Sequence, residues 1–382
     1  GSLGVDNSRR VHGSQCRASA WVQDSDRKQG TERSQMTSYD VIVVGGGPVG
    51  MAAAIEARLS GLSAVVIEPR SGVIDKACGE GLMPGAIPLL ARLGVYPMGR
   101  DLAGVTYRSG GHAVSHKFSS GVGKGVRRTE LHGSLRSRSD ELGVVFVEAS
   151  VSSVAEADSG LVASCSNGES VPGRYLIAAD GLHSSIAKAA GLVKEVSPRR
   201  SKRFGIRQHF HVAPWSEFIE VFYTKTAEVY ITPVSENQVG VAVLGPKATD
   251  FDETIAGIPE LAERLEGAAP ASQRSGAGSF PQLTTARTKG RILLVGDASG
   301  YVDAITGEGL RLGFAQAKVA IECILMNKPA SYEKAWRRVS RDFRVLTQGL
   351  ISAANSPIRM AIVPLASRLP WVFGLVVNRL AR

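Results

Sequence analysis

The stretch that most restricts what this chain can fold into runs from Val41 to Glu68. Val41-Ile42-Val43-Val44 is a short apolar run of β-branched residues that ends on Gly45-Gly46-Gly47-Pro48-Val49-Gly50. A small-residue segment, Met51-Ala52-Ala53-Ala54 to about Ser60, reads as a helix with Gly61 as its C-cap. A second apolar strand, Ala64 to Ile67, ends at Glu68. Strand, glycine turn, helix, strand and acid in this order predict a dinucleotide-binding βαβ unit. Gly45 permits the tight turn, Gly47 lets the backbone approach a pyrophosphate at the helix N-terminus, and Gly50 lets helix and strand pack closely. Glu68 is placed to accept hydrogen bonds from ribose hydroxyls. The alternative is a Gly-rich α/β turn that binds nothing.

Two further apolar strands end on similar turns. Tyr175-Leu176-Ile177-Ala178 runs into Ala179-Asp180-Gly181, and Arg291-Ile292-Leu293-Leu294-Val295 runs into Gly296-Asp297-Ala298. Thr306-Gly307-Glu308-Gly309 then opens a long Ala-rich helix to about Met326. Arg127-Arg128-Thr129-Glu130-Leu131 starts a helix to about Leu142, while Asn167-Gly168 marks a hairpin turn. Gly121 to Gly125 has a phosphate-loop composition, but no strand leads into it and no K-[ST] follows, so it reads as a flexible connection. From Phe204 to Leu244 the pattern turns to alternating strands, which predicts an antiparallel sheet and a second domain.

This combination resembles the FAD-dependent superfamily of para-hydroxybenzoate hydroxylase-type monooxygenases, geranylgeranyl reductases and flavin-dependent halogenases. It covers about Asp40 to Asn327, and the TGEG form is most similar to geranylgeranyl reductases. The implied fold is α/β: a Rossmann-like FAD-binding domain with GxGxxG, DG and GD motifs, an inserted antiparallel β-sheet substrate domain and a C-terminal helical tail. The expected division assigns 36–102, 121–195 and 281–330 to the FAD domain. It gives 103–120 and 196–280 to the substrate domain, and 331–382 to the tail. Residues 1–35, polar and without periodicity, are expected to be a tag-derived or disordered leader.

The resemblance also implies roles. Gly45, Gly47, Pro48, Val49 and Gly50 would hold the FAD pyrophosphate, and Glu68, with Pro69 and Arg70, the adenosine side. Arg128 would contact the flavin side chain or pyrophosphate, and Val151 the adenine. Asp180 and Gly181 would support the pyrophosphate region and the pyridine nucleotide, while Gly296 and Asp297 hold the ribitol. Gly307, Gly309 and Leu310 would place a helix N-terminus at the flavin N1–C2=O edge, where a reduced flavin is negative. Cys78 and Gly79 lie in a loop that the family places beside the flavin. The chain has Ala187 where the DG motif usually carries Arg, and Ala304 where the last motif usually carries Pro. The halogenase W-x-W-x-I-P sequence is absent, which argues against halogenation.

Candidate catalytic residues are Cys78 and, on strands of the substrate sheet, His209, Tyr223 and Tyr230; His211 shares the face of His209. Each has a packing alternative, Cys78 as a turn filler and the others as sheet residues. The expected activity is an NAD(P)H-dependent monooxygenase that hydroxylates an aromatic or lipophilic small molecule through a C4a-hydroperoxyflavin. The alternatives are geranylgeranyl reductase-like reduction of isoprenoid C=C bonds, and an idle FAD-binding or lipid-binding protein.

Charge and cysteines limit the remaining partners. The net charge is +10, and Ala330–Arg382 holds nine basic residues against Glu333 and Asp342. No basic-aromatic interleaving accompanies this charge, so nucleic acid is not an expected partner. Arg199-Arg200-Ser201-Lys202-Arg203 reads as a solvated loop or as a contact for NADPH phosphates. Cys16, Cys78, Cys165 and Cys323 form no C-x-x-C pair, so neither zinc nor disulfides are indicated, and a cytoplasmic setting is expected. Pro357 to Arg382 mixes Ile358, Leu365, Trp371, Leu375 and other apolar residues with four arginines and no acid. Its prolines leave no run near the roughly 18 residues of a membrane span. Two readings stand: peripheral contact at the inner membrane face, or packing on the FAD domain or a dimer partner.

Overall fold

Alternating side chains of one strand reach both sides of a central sheet. In the computed structural model, which describes 38–195, 202–302, 304, 307, 309–354 and 356–381, Val41 and Val43 of strand Tyr39–Val44 enter one hydrophobic cluster, while Ile42 and Val44 enter another. The sheet runs in the order Thr288–Lys289, Ile292–Leu294, Ser170–Ala178, Tyr39–Val44, Ala64–Ile67, Val145–Val147. Of its five pairings all but that of Thr288–Lys289 with Ile292–Leu294 are parallel, so the strands Tyr39–Val44, Ala64–Ile67, Ser170–Ala178 and Ile292–Leu294 all end at one edge. A hairpin, Val151–Ala157 with Gly160–Cys165, extends Ser170–Ala178 antiparallel. Helices Pro48–Leu59 and Gly309–Leu325 cover one face side by side. They meet at Gly313, where an added Cβ would lie 2.4 Å from Val49 Cγ2.

The second sheet has the order Ala269–Pro270, Arg203–His211, Gln238–Pro246, Glu228–Ser235, Phe218–Tyr223, Gly104–Ser109, His112–Lys117, with Ser275–Phe280 also paired to Arg203–His211. It is antiparallel except where Phe218–Tyr223 runs parallel to Gly104–Ser109. The purely antiparallel expectation fails at that seam. The two strands come from insertions separated by the Val145–Ala178 part of the first sheet, and a remote strand can dock in either direction. Helices Phe251–Ala256 and Pro259–Leu265 cover one face of this sheet; the other faces the first sheet and the tail.

Gly123–Gly125, read from sequence as a flexible connection, is a short strand between Gly81–Leu82 and Arg100–Leu102. The Gly125 Cβ position is filled at 1.7 Å by Pro233 O, which explains the glycine.

The helix Tyr332–Ala354 packs against helix Gly309–Leu325 and the end of the first sheet, burying Tyr332, Trp336 and Ser340. Tyr332 Oη donates to Leu294 O at 2.9 Å, and Trp336 Nε1 donates to Ser299 Oγ at 2.9 Å. Ile362–Arg368 and Pro370–Leu380 then fold against strand His112–Lys117, bent 109° from one another. No single helix among the described residues is long and apolar enough to cross a membrane. The sequence left packing on the FAD domain as an alternative for this tail; its apolar face instead rests on the second sheet. Phe373 is 5.2 Å from the Tyr107 ring centre and 6.4 Å from that of His116.

Candidate active site

The shared strand edge opens into a cavity of about 510 Å³ that continues beneath the second sheet. Every cofactor-side residue singled out from sequence lines it except Gly50: Gly45, Gly47, Pro48, Val49, Glu68, Pro69, Arg70, Cys78, Gly79, Arg128, Val151, Asp180, Gly181, Gly296, Asp297, Gly307, Gly309 and Leu310. Thr306 and Glu308 of the TGEG motif lie outside the described residues, as do Arg199 to Ser201 and the 1–35 leader. Of the catalytic candidates, Cys78 and Tyr230 line the cavity. His209 and Tyr223 stand behind its wall, His209 with no exposed surface.

Three of the four glycines of the first turn have different jobs. A Cβ on Gly50 would fall 1.9 Å from Gly45 O, and one on Gly45, at φ +104°, would fall 2.5 Å from Ala179 O. These two serve close packing. A Cβ on Gly47 would meet nothing within 4 Å and would stand in the cavity. Gly47 is the N-cap of Pro48–Leu59 and carries no side-chain cap, so the first helical N–H groups keep their capacity for an anion. Arg128, on the opposite wall, has its Nε buried without a hydrogen-bond partner. An uncapped helix N-terminus, a glycine with open space and an arginine with a spare donor suit a pyrophosphate.

Glu68 Oε2 accepts from the Gly46 amide at 2.8 Å, and Oε1 from Arg70 Nε at 2.7 Å. Burial works to raise its carboxyl, but the hydrogen bonds from Arg70 and Gly46 together hold it below the ordinary value. Asp180 accepts from Ser184 Oγ at 2.6 Å and from the Ile186 amide at 3.2 Å, which fixes the start of Ser185–Ala189. Asp297 faces Lys76, with Oδ2 3.8 Å from Nζ.

Sequence reasoning passed over two residues that tie these turns together. His132, on helix Arg128–Glu141, accepts the Ile74 amide at Nδ1 (3.3 Å), which leaves Nε2 to donate to Gly46 O at 3.0 Å. Burial first, then the charge of Arg128, pushes its pKa down, so it clips the glycine turn as a neutral ring. Gln282 Nε2 donates to Asp297 O at 2.7 Å, and Gln282 Oε1 accepts from the Ser184 amide at 3.3 Å. It thereby joins the DG and GD turns. Their partners lie 86 and about 100 residues away, and no local pattern marks them.

Away from these turns one side of the cavity is apolar, with Met83, Val105, Ile219, Val221, Leu244 and Phe280 beside Tyr107 and Tyr230, while Glu80, Arg207 and Thr232 line another part. Burial, then Glu228, pushes the Tyr107 phenol up to about 12, and Tyr230 is raised well above its ordinary value for the same reasons. Both are neutral hydrogen-bonding walls at physiological pH. Tyr223 packs edge-on to Tyr107 at 5.8 Å. Cys78 is half-buried at the junction of the polar and apolar parts, and burial raises its thiol, so it is a neutral thiol there.

The FAD-binding domain family model matches residues 38–324. The chain is 26% identical over 330 residues to a menaquinone reductase of Mycolicibacterium smegmatis, covering 78% of this chain and 80% of that one. It is 25% identical over 309 residues to a digeranylgeranylglycerophospholipid reductase of Methanococcus vannielii, covering 76% and 77%. Among solved structures, the flavin-dependent brominase Bmp2 superposes with a TM-score of 0.77 at 20% identity, over 90% of this chain and 94% of that one, a likeness of fold. With the family match spanning both sheets and the turns that line the cavity, this chain belongs to the FAD-binding domain family and is an FAD-dependent oxidoreductase.

Proposed function

We propose that the protein reduces a C=C bond of a lipophilic, isoprenoid-type substrate, with NAD(P)H as the source of reducing equivalents. The observation that carries this reading is the apolar inner half of the cavity, walled by Val105, Ile219, Val221 and Leu244 and by phenols held neutral. An apolar wall of this kind suits a hydrocarbon chain. Bound FAD would supply hydride chemistry at the polar end, with Gly47, Arg128, Glu68 and Asp297 as the residues that hold it. The chain's own residues orient the substrate and line its inner space with apolar side chains and neutral phenols. The reductase relatives support the same reading by the names they carry.

A monooxygenase that hydroxylates an aromatic compound is the second reading. It is favoured by the polar pair Glu80 and Arg207 on the cavity wall, a carboxylate and a guanidinium that suit a polar ring substituent. Incubation with NAD(P)H and either menaquinone or a digeranylgeranyl glycerolipid, without oxygen, separates the two. Gain of two hydrogens per reduced bond is expected. Product that forms only with oxygen and carries an added oxygen atom would overturn the reductase reading.

The tail fits a lipophilic substrate. Leu365, Leu369, Trp371 and Leu375 are exposed on the side of the bent helix pair away from the sheet, with Arg368 and Arg379 in the same segment. We read this side as a peripheral contact with anionic lipid, where Trp371 is an interfacial anchor. The inner side of the same helix holds Phe373 against Tyr107, itself a cavity wall. A lipid surface at the tail would thus lie one side chain from the substrate space.

A further inference from the structure

A lysine on a loop ordinarily carries its ammonium out into water. Lys76 instead turns into the cavity, where a Cβ built on Gly181 would lie 3.5 Å from its Nζ. The same Nζ stands 3.8 Å from Asp297 Oδ2, so the ammonium faces both the DG turn and the GD turn. The loop that carries it is fastened on either side. The Ile74 amide donates to His132 Nδ1 at 3.3 Å, Asp75 pairs with the buried Arg207, and Gly79 O accepts from Thr232 Oγ1 at 2.8 Å. With its neighbours held, Lys76 has a set direction. A pair as open as Lys76 and Asp297, at 36% and 30% exposed, contributes little to folding, so stability does not account for the placement.

The other bases on the cavity wall have separate work. Arg70 is paired with Glu68 and Arg207 with Asp75, while Arg128 stands on the opposite wall with its Nε open to a pyrophosphate. Among the described residues, no base other than Lys76 pairs with Asp297. Asp297 is the residue read above as holding the ribitol, the part of FAD that carries the flavin ring. Reduction by a hydride from NAD(P)H brings two electrons and one proton and leaves one added negative charge on that ring. A lone carboxylate nearby opposes the added charge, and an ammonium against the carboxylate removes the opposition. We propose that Lys76 sets the redox balance of the bound flavin by neutralising Asp297 at the flavin end of the cavity. This role needs only FAD and holds for either substrate.

The test uses the full chain saturated with FAD and reads the two-electron midpoint potential by equilibration with a reference dye, without substrate. Lys76→Met keeps the stem and removes the charge. It should shift the reduction equilibrium about tenfold toward oxidised flavin, equivalent to about 30 mV. Lys76→Met combined with Asp297→Asn should return the equilibrium to within about threefold of the parent, because the carboxylate and its counter-charge are then both gone. A parental potential in Lys76→Met would overturn the role. So would a double variant as low as the single one, since the lysine would then act without Asp297. Where a variant holds FAD too weakly to be saturated, its dissociation constants for oxidised and for reduced FAD carry the same ratio through a closed cycle. Equal losses in the two constants of Lys76→Met would overturn the role as well.

Discussion

Gly47 and Gly50 sit in the same turn, three residues apart, and the structure assigns them opposite consequences when a methyl group is added. In Gly50→Ala the new Cβ meets Gly45 O at 1.9 Å and Ala179 Cβ at 3.3 Å. The nearest obstacle is backbone, so helix Pro48–Leu59 or the glycine turn must move. Overpacking of this kind costs about 1–3 kcal/mol, and the short contact to rigid backbone places this variant at the upper end. In Gly47→Ala the Cβ meets nothing within 4 Å, and the backbone, at φ −70° and ψ 174°, is open to alanine. Alanine caps a helix less well than glycine, by about 0.5–1 kcal/mol. Restricting the unfolded chain returns about 0.4–1 kcal/mol, so the net change in stability is close to zero. The methyl group, however, occupies the space that a pyrophosphate would use. FAD affinity should fall at least about tenfold, equivalent to roughly 1.4 kcal/mol. Urea unfolding of the apoprotein and FAD titration by flavin fluorescence measure the two quantities separately. The reasoning fails if Gly47→Ala unfolds as early as Gly50→Ala, or if it binds FAD like the parent.

Three further outcomes are expected. Cys78→Ser should alter turnover several-fold and leave FAD affinity unchanged, because the thiol lies where the polar and apolar parts of the cavity meet; unchanged steady-state kinetics would make it a turn filler. The depressed Glu68 carboxyl contributes stability above its ordinary value of 4.5, and this is lost as pH falls through the lower folded value. Glu68→Gln should therefore lack that increment above pH 4.5 and lose correspondingly less stability below it, and parallel acid-unfolding curves would refute the assignment. Trp371→Ala combined with Leu375→Ser should reduce co-sedimentation with anionic liposomes at low salt at least about threefold, because both side chains are exposed and hold no part of the core. Equal recovery of parent and variant in the supernatant would remove the lipid surface as partner.

The first sheet and its cofactor turns were legible because their signals are local. A β-branched run that ends on glycines, followed by a small-residue helix, sets its own geometry within one βαβ unit. The DG and GD turns follow apolar strands that parallel pairing must end at the same edge, so three separated motifs line one cavity without any knowledge of contacts. Tertiary structure decided what sits around that edge. Tyr107 and Tyr230 became cavity walls and Tyr223 a packing residue by the register of a sheet whose strands come from two insertions. His209 was singled out as a strand residue of the substrate sheet, yet it lies behind the wall, bonded to the buried Glu80. His132 and Gln282 left no trace in their neighbourhoods, because each owes its role to a partner 86 or about 100 residues away. The tail carried its apolar character in the sequence. Which of its residues turn inward depended on the surface of strand His112–Lys117, where Phe373 meets Tyr107 and His116 and leaves Trp371 outside. Backbone geometry and short-range sterics are written along the chain, whereas burial and proton positions are set by groups that only the folded chain brings together.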